Sequence, residues 1–189
     1  MSGTAERLRR RLAGMRPAAR AGGGAGPTMA PEDVDLAVRV GTLELPAPVM
    51  TAAGTAGHGA ELAAYVPLSS LGAVVVKSLS ADPWPGNPAP RVHETAAGML
   101  NSIGLQGPGI PAWRAEELPE LLAADARVVV SIWGRSVEDY ARAAQALAGC
   151  PEAVVAVEVN LSCPNLDGGA HLFAHDPGAT RDALAAEST

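Results

Sequence analysis

Short apolar runs alternate along the chain with segments of helical periodicity. The runs are rich in β-branched residues and lie at 48–53, 73–78, 127–133 and 153–160. Runs of this kind are typical of strands that are covered on both faces, as in a parallel sheet. The segments between them predict helices at 61–72, where Pro67 marks a break, at 112–126 and at 136–149. This order of strand and helix indicates βα units around a parallel sheet.

Residues 136–149 give the clearest helical signal. Ser136 is a favourable N-cap, Asp139 completes an S-x-x-D capping box with it, and Gly149 ends the helix. The predicted apolar face consists of Tyr140, Ala144 and Leu147. These features predict a structural helix and indicate no chemistry of their own.

Polar residues or glycines stand where each predicted strand ends. They are Ala53–Gly54, Lys77–Ser78, Ser131 to Gly134, and Asn160. In a (β/α)8 barrel the carboxyl ends of all strands open into one mouth. In an open doubly wound sheet only the strands beside the switch point serve a site. The pattern therefore favours the barrel over the open sheet.

One long segment interrupts the alternation of strands and helices. Residues 79–110 contain five prolines and show no periodicity. An insertion of this length inside a compact domain is usually a lid or a binding loop. We expect it to extend from the mouth, because it begins directly after Lys77.

The composition predicts one folded domain and a basic leader. A length of 189 residues suits one core, and with 48% hydrophobic but only 3% aromatic residues that core is expected to consist of Ala, Val and Leu. Residues 1–30 carry six arginines and one glutamate, whereas the rest carries eight basic and nineteen acidic residues. We therefore expect a disordered Arg/Ala/Gly-rich leader at 1–33 and a folded domain at 34–189.

Charge and hydropathy exclude several classes of function. The acidic body argues against nucleic-acid binding, which needs clustered positive charge. No apolar segment of a secretory signal follows the arginines, and no apolar run reaches the ~18 residues of a membrane span. The two cysteines, Cys150 and Cys163, do not indicate a disulfide scaffold. The sequence predicts a cytoplasmic protein.

Scarce residue types mark the candidate chemistry. Lys77 is the single lysine beside thirteen arginines, which indicates a place where a compact charge is needed at the end of a buried strand. The asparagines are Asn87, Asn101, Asn160 and Asn165. A carboxamide presents an acceptor and two donors, which matches the N–H and C=O edge of a lactam or pyrimidine ring. Asn87, between Gly86 and Pro88, is interpreted as a turn residue.

Cys163 lies in the stretch "NLSCPN", among Asn, Ser and Pro. A thiol can act as a base once its surroundings lower its pKa from ~8.5. Cys150, at the end of a helix without polar neighbours, is interpreted as an inert thiol. His171 and His175 have ligand-like spacing but lack an H-E-x-x-H motif, so no metal site is predicted.

Three separated motifs resemble one enzyme family. "VVVKSLSADPWPGNPAPRVHET", "GMLNSIGLQGPG" and "NLSCPN" together are similar to the dihydroorotate dehydrogenases, in particular the soluble class with a cysteine base and its NAD-linked type. The resemblance covers roughly residues 36–177 and keeps the order of the motifs. It implies a (β/α)8 barrel that binds FMN at the mouth and oxidises dihydroorotate to orotate in pyrimidine biosynthesis.

The resemblance also assigns roles to residues. It implies that Cys163 removes a proton from C5 of dihydroorotate while C6 delivers a hydride to the flavin. The implied substrate-binding residues are Lys77, Asn101, Ser102, Ile103, Gly104, Leu105, Asn160 and Asn165. The implied flavin-binding residues are Ala53, Gly54, Lys77, Ser78, Ser131 and Asn160. Ala53 and Ser131 depart from the Ser and Asn that many relatives carry at these places, which weakens the expected flavin contacts.

Length sets the remaining expectations. A complete barrel needs about 250 residues, and this chain contains four βα units, so it resembles the N-terminal half of such an enzyme. The resemblance implies a separate FAD and iron–sulfur subunit as electron acceptor, and a homo-oligomer or a complementing half-barrel as partner. Two alternatives stay open. One is a dihydropyrimidine dehydrogenase-like flavoenzyme, and the other is a non-catalytic half-barrel that acts only by assembly with another chain.

Overall fold

The computed structural model describes residues 30, 33–162 and 172–186. The chain divides into two units, Met1–Leu36 and Ala37–Thr189, and the described elements belong to the second. The predicted leader falls almost entirely outside the described residues. The predictions for Cys163, Asn165 and His171 also lie outside them.

The second unit contains short strands and helices in an α/β arrangement. The strands are β1 (Val38–Val40), β2 (Leu43–Leu45), β3 (Val74–Val75), β4 (Val92–Thr95), β5 (Gly98–Asn101), β6 (Val128–Ile132) and β7 (Val154–Val159). The α-helices are α1 (Ile110–Glu116), α2 (Leu118–Ala123), α3 (Val137–Ala146) and α4 (Pro177–Ala186). Short 3₁₀ helices lie at Ala60–Ala64, Leu68–Ser70 and Phe173–His175.

The central sheet is parallel and follows the order of the chain. Its strands are arranged β3-β6-β7, and both neighbouring pairs are parallel. A parallel bridge from Met50 to Ala73 adds the preceding segment on the β3 side. Sequential order without a switch point is the arrangement of a barrel segment. The parallel sheet is confirmed, but within the described residues it does not close into a barrel.

Alternation along β3 and β6 gives the sheet two apolar faces. Val74, Val76, Val128 and Val130 pack into the larger core with the helices, and each is fully buried. Ala73, Val75 and Val129 form a smaller cluster on the other face, together with Leu45 of the β1–β2 hairpin. Burial on both faces explains why these strands read as nearly continuous apolar runs.

The N-terminal capping of α3 is as predicted. The Oγ of Ser136 accepts a hydrogen bond from the backbone N of Asp139 at 3.2 Å. The Asp139 carboxylate accepts from the backbone N of Arg135 at 3.0 Å, and a backbone hydrogen bond from Ser136 also helps to lower the Asp139 pKa. On the apolar face Tyr140 and Ala143 are fully buried, whereas the predicted Ala144 is only half-buried.

Several predicted elements differ in the structure. Residues 48–53 form a single bridge instead of a strand, and 61–72 form two 3₁₀ turns instead of a helix. The predicted helix 112–126 is divided at Glu117, because Pro119 starts a new helix by occupying its first turn. The segment 79–110, read as irregular, contains the β4–β5 hairpin.

Candidate functional site

The carboxyl ends of the three parallel strands meet through side-chain hydrogen bonds. Ser78 follows β3, Ser131 lies near the end of β6, and Asn160 follows β7. The hydroxyls of Ser78 and Ser131 are 2.8 Å apart. The Asn160 Nδ2 donates to the Ser78 Oγ at 3.0 Å. We call these three residues the strand-end group, and the structure brings them together as the strand order requires.

The strand-end group is held by the backbone around it. The Asn160 N donates to the Ile132 carbonyl at 2.8 Å, which continues the β6–β7 ladder. The Asn160 Oδ1 accepts from the Ser162 N at 3.3 Å. Ser78 and Ser131 are almost fully buried, with exposed fractions of 3% and 0%. Buried hydroxyls need partners, and these two satisfy each other.

Lys77 precedes the strand-end group and lies beside an open cleft. Its backbone N donates to the Gly57 carbonyl at 2.9 Å, so the loop after the first predicted strand is bonded to it. Burial lowers the pKa of Lys77, and the charge of Arg91 lowers it further. The cleft has a volume of ≈ 640 Å³, and Trp84, Gln106 and Glu117 also line it.

His58 also lines this cleft and was not predicted. Gly57 and Gly59 flank it with φ of +57° and +97°, a turn that other residues adopt only under strain. The Nδ1 of His58 is buried and has no hydrogen-bond partner among the described residues. Burial lowers the pKa of His58, the Lys77 charge adds to this, and Glu117 opposes it. The signal in the sequence was the Gly-His-Gly triplet.

Asn101 and Ser102 lie at the end of the exposed hairpin, outside the strand-end group. The Ser102 N donates to the Arg91 carbonyl at 2.8 Å. The Asn87 Nδ2 donates to the Ser102 Oγ at 2.9 Å and to its carbonyl at 3.2 Å. Interpreting Asn87 as a turn residue alone was therefore incomplete. Its side chain bonds one part of the segment 79–110 to another.

Ile103, Gly104 and Leu105 follow in a tightly bent stretch. Gly104 and Leu105 have φ of +74° and +56°, and Leu105 is a non-glycine residue in the left-handed region. The Ile103 carbonyl accepts from the Asn87 N at 3.0 Å, and the Gly104 carbonyl accepts from the Trp84 Nε1 at 2.8 Å. Backbone groups of this predicted binding stretch are thus fixed by the residues that precede the hairpin.

Ala53 and Gly54 occupy the loop on the other side of β3. Ala53 is half-buried and packs against the smaller apolar cluster. Gly54 has φ of +79°, with open space where a Cβ would stand. Thr51 connects this loop to the sheet, because its Oγ1 donates to the Val75 carbonyl and accepts from the Val75 N. No pattern in the sequence indicated this role of Thr51.

Of the two cysteines, only Cys150 lies among the described residues. Cys150 is a half-buried free thiol, and burial raises its pKa. A raised pKa disfavours the thiolate, which agrees with an inert role.

No group of three metal-ligating side chains occurs among residues 30, 33–162 and 172–186. In the same ranges, no helix is both long and apolar enough to cross a membrane.

These observations define a class of protein. The chain is an α/β protein whose parallel strands end in a shared polar group, with a cationic side chain and a cleft beside it. Residues 35–189 match the family model described as dihydroorotate dehydrogenase. The chain therefore belongs to the dihydroorotate dehydrogenase family.

Curated relatives place the chain within that family. It is 45% identical over 150 residues to the dihydroorotate dehydrogenase B (NAD(+)) catalytic subunit of Geotalea daltonii, covering 79% of this chain and 49% of the relative. It is 47% identical over 147 residues to the subunit of the same name from Desulforudis audaxviator, covering 78% of this chain and 48% of the relative. The chain thus spans about half the length of the curated relatives it matches.

Solved structures support the fold. Ligand-free dihydroorotate dehydrogenase from Eimeria tenella matches with a TM-score of 0.61 at 21% identity, covering 85% of this chain and 47% of that chain. The complex of the Eimeria tenella enzyme with ferulenol matches with a TM-score of 0.59 at 21% identity, covering 82% and 43%. At this identity the likeness concerns the fold, of which this chain contains about half.

Proposed function

We propose that this chain is the N-terminal half of a (β/α)8-barrel dihydroorotate dehydrogenase that oxidises dihydroorotate to orotate with FMN. The observation that carries the proposal is the meeting of Ser78, Ser131 and Asn160 at the carboxyl ends of consecutive parallel strands, directly beside Lys77. Active sites of (β/α)8 barrels lie at this end of the strands. Family membership then supports the choice of reaction.

The residues present fit one side of a flavin. Asn160 offers a carboxamide that suits a ring with alternating donors and acceptors, and the Ser78 hydroxyl, paired with that of Ser131, accepts a hydrogen bond from this carboxamide. Lys77 is the cation beside them, and a cation stabilises negative charge on a reduced ring. A Cβ at Gly54 would meet nothing within 4 Å, so this loop leaves open space. A phosphate needs a further pocket of backbone N–H groups, which barrels of this kind build after their seventh and eighth strands.

In this proposal the residues of the chain have separate catalytic and binding roles. Bound FMN would supply the acceptor for the hydride that leaves C6 of dihydroorotate. Cys163 takes the proton from C5, acting as the general base. Asn101, Asn160 and Asn165 bind the edge of the pyrimidine ring, together with the backbone of Ser102 to Leu105. Asn160 contacts both the substrate and the flavin.

The relatives indicate how electrons leave the enzyme. They carry the name of a catalytic subunit of an NAD(+) enzyme, which implies a partner subunit. We propose that a separate subunit with FAD and an iron–sulfur cluster passes electrons from FMN to NAD. We also propose that the enzyme acts in the cytoplasm.

The experiment joins the two halves. This chain is co-produced with the C-terminal half of the Geotalea daltonii catalytic subunit, and the purified complex is mixed anaerobically with dihydroorotate. The proposal expects a bound flavin whose absorbance band bleaches on mixing. Dihydrouracil in place of dihydroorotate is the matched control and should leave the band unchanged.

Three outcomes contradict the proposal in different ways. A complex without flavin rejects the cofactor. Bleaching by dihydrouracil alone rejects the substrate and favours a dihydropyrimidine dehydrogenase-like reaction. Full turnover with fumarate and without any partner subunit rejects the NAD-linked route.

A further inference from the structure

Tyr140 is a buried tyrosine with a polar contact at the end of a strand. It lies in α3, and its exposed fraction is 1%. A buried tyrosine hydroxyl needs a hydrogen-bond partner. Here the hydroxyl donates to the carbonyl oxygen of Asn160 at 2.8 Å. A helix side chain therefore completes the bonding of a residue in the strand-end group.

With this contact, hydrogen bonds hold the Asn160 backbone on both sides of its Cα. The Asn160 N is bound by the Ile132 carbonyl in the sheet, and the Asn160 carbonyl is bound by the Tyr140 hydroxyl. With both backbone groups held, the side chain leaves the backbone in one direction, and its Nδ2 reaches Ser78. The direction of the Asn160 Cα–Cβ bond is thus set by the helix as well as by the sheet.

Tyr140 also contacts the chain where it returns after residues 163–171. Its ring meets the ring of Phe173 edge-to-face, with centroids 5.2 Å apart at 81°. The neighbouring Ala174 N donates to the Leu161 carbonyl at 3.2 Å. The same side chain therefore holds residues on both sides of that segment, the hydroxyl on one side and the ring on the other.

We propose that Tyr140 is a positioning residue that orients the Asn160 carboxamide through the hydrogen bond from its hydroxyl to the Asn160 carbonyl. This inference rests on the proposed function for its catalytic consequence, since Asn160 is there the residue that contacts both substrate and flavin. The plain alternative is a core tyrosine whose ring alone matters. The two alternatives differ in whether removal of the Tyr140 hydroxyl changes the orientation of the Asn160 carboxamide.

The test compares Tyr140→Phe with Tyr65→Phe. The first variant keeps the ring and its contact with Phe173 but removes the hydroxyl, and the second changes the other tyrosine of the chain, which is 65% exposed. The first readout uses the 189-residue chain and records the side-chain amide resonances of Asn160 by NMR. The second readout uses the complex of this chain with the C-terminal half of the Geotalea daltonii relative and measures kcat and KM for dihydroorotate.

The expected result has two parts. Tyr140→Phe shifts the Asn160 amide resonances, and in the complex it lowers kcat/KM about tenfold, because a misdirected binding group loses alignment with the reacting atoms. Tyr65→Phe changes neither. Unchanged Asn160 resonances in Tyr140→Phe would overturn the proposal, and so would an unchanged kcat/KM in an active complex. If the parent complex does not oxidise dihydroorotate, the proposed function fails, while the NMR comparison still decides the role of Tyr140.

Discussion

Lys77 and His58 show how local surroundings set the charge state of a side chain. Both line the same cleft, and burial lowers the pKa of each. For His58 the positive charge of Lys77 works in the same direction as burial, whereas Glu117 and Glu61 work against it. The neutral imidazole is therefore favoured beside the lysine, which keeps a second positive charge away from Lys77.

His58 should make stability depend on pH. In the unfolded chain its pKa is the ordinary 6.5, and in the folded chain it is lower. As the pH falls through about 6.5, the unfolded chain takes up a proton that the folded chain does not yet bind, so the free energy of unfolding decreases until the pH passes the folded pKa. We expect His58→Gln to lose less stability than the parent between about pH 7 and pH 5, measured by urea unfolding.

The matched control for this prediction is His93→Gln, on the exposed hairpin. This variant should follow the parent across the same pH range. If His58→Gln and the parent lose stability in parallel, the buried imidazole does not titrate in the way that its surroundings imply.

Cys163 carries the prediction with the largest effect on rate. In the complex with a C-terminal half, Cys163→Ala should leave FMN bound and slow its reduction by dihydroorotate about 10²–10⁴-fold, because the general base is lost. Stopped-flow absorbance of the flavin band measures this rate. Cys150→Ala serves as the control, since burial raises the pKa of that thiol and it should not contribute. Reduction of Cys163→Ala at the parental rate would reject its assignment as the base.

At the scale of elements, burial decided which predictions were correct. The strands β6 and β7 and the helix α3 were correctly predicted, because the apolar residues of β6 and α3 pack into the core and give a clear periodic signal. The hairpin β4–β5 was missed because all of its residues are exposed and so carry no apolar alternation. The run 48–53 was wrongly predicted to be a strand because it is apolar. In the structure its residues 48–50 are exposed, and it forms only one bridge, at Met50.

Only part of the candidate site could be predicted from the sequence. Ser78, Ser131 and Asn160 could be predicted to meet, because the order of a parallel sheet alone brings strand ends together. The two glycines beside His58 were a signal, but the positions of His58 and Asn87 could not be predicted, because they depend on loop conformations with positive φ that a single sequence does not specify. Tyr140 was recognised only as an apolar face residue. The partner of its hydroxyl emerges only in the folded chain, where α3 packs against β6 and the hydroxyl reaches the Asn160 carbonyl.

Gly104 tests how the segment 79–110 is held. A Cβ at this residue would lie 2.6 Å from Cγ and 2.7 Å from N of Asn87, and its φ of +74° adds strain. Gly104→Ala should therefore break the bonds from Asn87 to Ser102 and lower the free energy of unfolding by about 1–3 kcal/mol. Urea unfolding measures the loss, and faster trypsin cleavage after Arg91 reports the loosened segment.

Gly98→Ala is the control for this prediction. Gly98 lies in the β4–β5 hairpin of the same segment, but a Cβ there would meet only the Thr95 Oγ1 at 3.9 Å. It should leave both readouts near those of the parent. Equal cleavage of the two variants would mean that the contact of Gly104 with Asn87 does not hold the segment.

At the scale of the whole molecule, β7 is an edge of the central sheet within the described residues. β7 pairs with β6, and among the described residues no strand pairs with its other edge. Val157 of β7 is 43% exposed, although β6 beside it is buried throughout. Because an edge of this kind is a template for pairing with another chain, β7 is where the 189-residue chain should associate. The family likeness agrees, since the chain matches about half of the solved barrels.

Edge pairing predicts the behaviour of the 189-residue chain on its own. We expect it to self-associate and to lack tightly bound FMN, because the phosphate pocket of such barrels lies after later strands. Val157→Lys should shift the chain towards the monomer, since a charged side chain on an edge strand opposes pairing. Sedimentation velocity over a range of concentrations measures the shift.

Val92→Lys, on the exposed hairpin at 53% exposure, is the matched control and should associate like the parent. If the two variants dissociate equally, exposed apolar area in general drives association and the β7 edge has no special role. A stoichiometric flavin that dihydroorotate reduces in the 189-residue chain alone would show that this half holds a complete site.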